Sequence, residues 1–152
     1  MTAMKKDQQE FSRPLLTDRV PRKGSHEVIK ADAAECAALA KRFKLPDLHA
    51  LGARFHITPW RGGGLKVTGT VEADVEQRSV VSLETFRQPV KFVVERYYLS
   101  PRDLGENADE DADPIINGEI DLGAIAAETL GIELDPYPRK PGEHFEGPQD
   151  DL

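Results

Sequence analysis

A chain of 152 residues, 39% hydrophobic and 31% charged, fits one domain with a modest core, and no apolar run approaches the ~20 residues a membrane helix needs. The single cysteine, Cys36, excludes an intramolecular disulfide and any zinc site built on cysteines within the chain. The net charge of -7 conceals a split: residues 1–66 hold 13 Lys+Arg against 7 Asp+Glu, and the rest hold 7 against 20. Overall acidity argues against a simple nucleic-acid binder, while the basic first half still permits an RNA-facing surface and the acidic second half a basic protein partner.

Residues 1–10 are polar and without period, and lack the apolar stretch and cleavage site of an export signal, so they read as a disordered tail of a cytoplasmic protein. One domain is expected over residues 11–141. Phe11 to Leu16 restores apolar side chains, with Pro14 favouring an edge strand. His26 to Ala31 reads as a short strand. Asp32 followed three residues later by Glu35 forms a capping-box pattern, opening a helix whose inward face carries Cys36, Leu39, Ala40 and Phe43 and which stops before Pro46. Cys36 in this alanine-rich stretch reads as a core residue.

From Leu51 the chain alternates with period two. Leu51, Ala53, Phe55 and Ile57 face one way and Arg54 and His56 the other; His49 and His56, an odd number apart, should face opposite sides of a regular strand. Arg61 to Gly64 supplies a hairpin reversal. Leu65, Val67, Gly69, Val71, Ala73 and Val75 then alternate with polar residues, Val80 to Leu83 continues that strand or forms a neighbour, and a further strand carries Val90, Phe92 and Val94 and ends at Leu99. The expected class is α+β: an antiparallel meander, with the option of partial closure into a barrel, and at least two packing helices. Residues 102–115 read as an acidic loop. Asp121 caps a second short helix, with Leu122, Ile125, Ala126 and Leu130 inward and Gly131 placed to end it, followed by an extended proline-rich segment and a disordered tail over 142–152.

Side-chain chemistry offers no catalytic constellation. Asp109, Asp111 and Asp113 alternate like oxygen ligands, but Pro114 follows and the glycine and distal glutamate of a calcium loop are missing, so no metal or cofactor is expected. Ser79 and Ser82 lack a nucleophile elbow, and the Arg61 turn lacks phosphate-loop spacing. The basic residues Lys41, Arg42, Lys44, Arg54, Arg61 and Lys66 could converge on one face, where Trp60 and His56 could stack on an unpaired base. The plainer reading is a solvated face around a buried tryptophan.

The strand from Val67 to Gln77, the Val80-Val81-Ser82-Leu83-Glu84 run after it, the acidic loop, and Ile120-Asp121-Leu122-Gly123 with Glu128 together resemble the YceD-like family, the large ribosomal RNA subunit accumulation proteins. The ending Asp135-Pro136-Tyr137-Pro138-Arg139-Lys140-Pro141 is similar to that of its alphaproteobacterial branch. Gly69, Asp121, Leu122, Glu128, Pro138 and Arg139 fit the family pattern; a helix cap and its core contact account for Asp121 and Leu122, while Glu128 is either a partner contact or a charge paired against the sheet. Many members carry a Cys-x-x-Cys pair where Ser79 and Ser82 stand here, so a thiolate metal site does not carry over. The resemblance implies a non-enzymatic bacterial factor in ribosome assembly or RNA processing, with ribosomal RNA, its precursor or a basic ribosomal protein as partner, and neither DNA nor membrane. The rivals are a protein-binding adaptor or small chaperone, and a magnesium-dependent nuclease using Asp111 and Asp113.

Overall fold

A computed structural model describes residues 10–100, 112–140 and 142. Nearly all of both expected tails and most of the acidic loop, including Asp103, Glu106, Asp109 and Asp111, lie outside the described residues. Strand β1 (Pro14–Leu16) leads through a single 3-10 turn to β2 (Ser25–Lys30), helix α1 (Ala33–Phe43) and three long strands, β3 (Asp47–Trp60), β4 (Gly64–Arg78) and β5 (Thr85–Leu99). Short strands β6 (Ala112–Pro114) and β7 (Glu119–Asp121) precede helix α2 (Leu122–Glu133).

Local chemistry explains the helices. The Asp32 carboxylate accepts from the Glu35 N–H at 2.8 Å while Glu35 accepts from the Asp32 N–H at 2.9 Å, so two orphan donors of α1 are satisfied at once. At its other end Lys44 turns left-handed (φ 58°), and Pro46 bars a further turn. Asp121 caps α2 through the Ala124 N–H at 3.1 Å. The same carboxylate accepts from Ser12 Oγ at 2.6 Å and the Arg13 N–H at 2.7 Å, tying the segment before β1 to the helix start. Gly131 does not end α2, which continues to Glu133; a Cβ there would lie 2.7 Å from the Phe43 ring, so this glycine lets the two helices approach.

Strands β2 to β6 form one open sheet in the order β2-β3-β4-β5-β6, and β1 and β7 a two-stranded sheet. The sheet does not close into a barrel. It is antiparallel except at β6, which runs parallel to β5, so the acidic segment ends in a strand and the buried Ile115 rather than a loop. Val80 to Leu83 is likewise a turn and not strand: the Ser79 N–H donates to the Glu84 carbonyl at 2.8 Å, and Ser79 Oγ accepts from the N–H groups of Val81 and Ser82 at 3.0 and 3.2 Å. Hydroxyl hydrogen bonds thus hold the turn at the two serine positions.

Both helices pack on the same face of the sheet. Cys36, Leu39 and Ala40 of α1 and Leu122, Ile125, Ala126 and Leu130 of α2 share one core with Leu51, Phe55, Ile57, Val67, Val71 and Val75. Phe55 stands opposite Gly69, where a Cβ would fall 1.9 Å from the Arg54 carbonyl oxygen; the close strand approach requires glycine at this position. Burial pushes the Cys36 thiol above its ordinary range, which makes it core material and a poor nucleophile.

Candidate nucleic-acid interface

No described helix covers the other face of the sheet. Cross-strand pairing places His26, His56, Thr68 and Glu95 in one row across it, then Val28, Arg54, Thr70 and Val93, and on the other side Thr58, Lys66 and Tyr97. Trp60 follows at the end of β3. Val28 and Val93 are 75% and 80% exposed, which no core requirement explains.

At the hairpin end of this face the indole of Trp60 lies against the ring of Tyr97, centroids 4.6 Å apart and planes at 47°. The guanidinium of Arg61 sits 4.6 Å above the Trp60 ring, and Lys66 Nζ 5.8 Å from that of Tyr97. Two aromatic faces are therefore bracketed by two cations, the arrangement expected where bases stack and phosphates are neutralised. The Tyr97 hydroxyl donates to the Glu95 carboxylate, which raises the phenol pKa and orients the ring. Trp60 is half-buried rather than enclosed, and His56 does not join it: His56 stacks on His26, centroids 4.2 Å apart and planes within 3°.

The expected convergence of the basic residues divides. Arg54, Arg61 and Lys66 belong to β3, β4 and their turn, on or beside the open face, whereas Lys41, Arg42 and Lys44 belong to α1 and the residue after it, across the sheet. Arg42 pairs with Glu10 at 2.9 Å and its guanidinium lies over Phe43. The cause is connectivity: α1 must bury Leu39 against the inner residues of β3, so its charges cannot reach the outer ones. Tyr97 was missed by sequence reasoning because its pairing opposite Lys66 spans a hairpin turn and a strand register that local pattern does not specify.

The far end of the open face carries paired charges, Glu72 with Lys91 at 3.9 Å and Asp74 with Arg87 at 2.7 Å. A bulge between Leu48 and Ala50 shifts the phase of β3, so Asp47 lies opposite Glu76 and His49 turns to that same side, 2.9 Å from Glu76 Oε1 and 3.7 Å from Asp47 Oδ2. The bulge overturns the expectation that His49 and His56 face opposite ways. Asp74 continues this end; a hydrogen bond from Arg87 lowers its carboxyl pKa.

A separate cleft of about 620 Å³ lies among β5, β6, β7 and α2, lined by Arg96, Tyr98, Asp113, Glu119, Asp121 and Glu128 among others. Arg96 donates to Glu128 at 2.8 Å, so Glu128 is a charge paired against the sheet. Burial works against the Arg96 charge, but the bonds to Glu128 and Tyr98 outweigh it and the guanidinium pKa ends raised. Asp113, half of the carboxylate pair that the nuclease reading needs, is in this cleft; Asp111 lies outside the described residues. Of the remaining family-pattern residues, Leu122 and Pro138 are structural in setting. Leu122 is buried, the Pro138 carbonyl accepts from the Val80 N–H at 2.9 Å, and Lys140, next to the exposed Arg139, pairs with Glu84 at 2.9 Å, so the proline-rich segment seals the β4–β5 turn.

Fold and surface together define an α+β protein with one helix-covered sheet face and one open face. Comparison with protein families then identifies it: the model described as large ribosomal RNA subunit accumulation protein YceD matches residues 67–151, more than half of the chain, and the chain belongs to that family. No curated protein and no solved structure matches it. The matched span includes β4 from Val67, β5, most of the cleft and α2, and leaves out Arg54, Trp60, Arg61 and Lys66. No helix among the described residues is long and apolar enough to cross a membrane.

Proposed function

We propose that this protein is a non-enzymatic cytoplasmic factor that supports accumulation of large-subunit ribosomal RNA by holding the RNA or its precursor on the open sheet face. The family description names the process. The observation that carries the contact is the joining, on one uncovered face, of Arg61 and Lys66 with the bracketed rings of Trp60 and Tyr97 at the hairpin end and of Arg54 further along β3. In this reading Lys41, Arg42 and Lys44 act only as a distant positive field.

Binding to precursor ribosomal RNA should weaken steeply with salt, and the double variant Arg54→Ala/Lys66→Ala should bind less tightly with a shallower salt slope, by about one for each phosphate that is no longer neutralised. Full-affinity, salt-independent binding by that variant argues against the face. In cell extracts the protein should sediment with large-subunit precursors, and its deletion should lower mature RNA from that subunit.

A second reading rests on the cleft, where Asp113, Glu119, Asp121 and Glu128 outnumber Arg96. That charge balance suits a basic ribosomal protein, and the adaptor function follows if the chain captures such a protein while showing no RNA affinity at low salt.

A further inference from the structure

Resting on the RNA reading above, we infer that the Trp60–Tyr97 end of the open face is a stacking site for unpaired RNA bases with a short footprint, and that paired RNA is excluded from it. The rings stand at 47° to each other with one cation over each; the 4.6 Å between Arg61 and the Trp60 ring is a single stacking distance, so a base that stacks on Trp60 displaces the guanidinium, and Lys66 and Arg54 meet the phosphates that follow. Base–aromatic stacking requires an unstacked π-face. A duplex keeps its bases stacked inside and, in A-form, offers side chains mainly phosphates and sugar hydroxyls. It would leave both rings unused.

The charge pattern sets the length. From Trp60 back to Arg54 is six residues of β3, about 20 Å at ~3.3 Å per residue. Beyond Arg54 the outer carboxylates are paired within the sheet, Glu72 with Lys91, Asp74 with Arg87 and Glu76 with His49, so the cations there are already engaged and the run of phosphate-facing cations ends. The track therefore belongs near the lower limit of the roughly 4–16 nucleotides that single-strand-binding folds cover. His26 and His56, stacked on one another, form the row between Lys66 and Arg54, inside the track rather than at its stacking end.

Trp60 is the only tryptophan of the chain, so its fluorescence reports this site and no other. Titrating the full-length protein with oligouridine and oligoadenosine of two to twelve nucleotides should quench that fluorescence, with affinity reaching a plateau near four to six nucleotides. An RNA hairpin stem of equal charge should bind at least about tenfold more weakly at the same salt, the loss expected when about one base stack is missing. By anisotropy of a labelled strand, Tyr97→Leu should weaken single-strand binding by about tenfold and leave hairpin binding unchanged. Binding without quenching, or equal affinity for strand and stem, overturns the stacking inference and leaves the RNA reading standing. Failure of every RNA to bind at low salt overturns both. The quenching measurement needs no variant, so it decides the matter even if Tyr97→Leu does not fold.

Discussion

On β4 the buried Val67, Val71 and Val75 alternate with Lys66, Thr68, Thr70 and Glu72, which meet solvent on the face without a helix. The two faces come from the same strands, yet one is occupied by two helices and the other keeps its rings, cations and exposed valines uncovered. Stability accounts for the first. On the second, the exposed Val28 and Val93 and the pairing of Trp60 with Tyr97 have no counterpart in the core, and they are the surface that the proposed RNA contact would use.

Substitutions can break or sharpen this contrast. Leu39→Ala, on the fully buried face of α1, should cost about 2–5 kcal/mol in urea unfolding, the largest single effect expected. Gly69→Ala forces a Cβ onto the Arg54 carbonyl and should cost about 3 kcal/mol or more, because backbone rather than a flexible side chain must move; an unchanged unfolding midpoint would show that the strands can separate freely here. Asp121→Ala should cost about 2 kcal/mol, the upper range for removal of a cap, since one carboxylate serves α2, Ser12 and Arg13 together.

A smaller effect is tied to pH. Both guanidinium nitrogens of Arg13 donate to Glu35 at 2.8 Å, and this hydrogen bonding holds the Glu35 carboxyl below its ordinary 4.5. The stabilisation is thus complete above pH 4.5 and is lost as pH falls through the lower folded value. Partial exposure of the pair limits it to about 1 kcal/mol. Glu35→Gln should accordingly shrink the stability gap between pH 7 and pH 3, measured by denaturant titration at both. Smallest of all, Val93→Ala on the open face should change stability by no more than about 0.5 kcal/mol. A large loss there would mean that the face is not open in solution.

Much of the fold is legible in the residues. The Asp32–Glu35 box and Pro46 bound α1, Asp121 marks the start of α2, and the alternation from Leu51 onward names the inward residues of β3 and β4, because helix caps and period-two patterning act within a few residues of themselves. The site is legible only in pieces. Arg54, Trp60, Arg61 and Lys66 could be named, but the separation of Lys41, Arg42 and Lys44 from them, the displacement of His56 onto His26 and the arrival of Tyr97 beside Trp60 depend on which strands pair and in what register.

By itself, then, the order of residues determined the two helices, the long strands and their buried sides, the α+β class and the family. Only the tertiary structure decided that the sheet stays open, that both helices choose one face, that β6 adds in parallel, and that a bulge turns His49 toward Glu76. The physical reason is range: capping, turn formation and alternation are settled by neighbours in the chain, whereas pairing partners and the side on which a helix docks are settled by residues tens of positions away competing for one core.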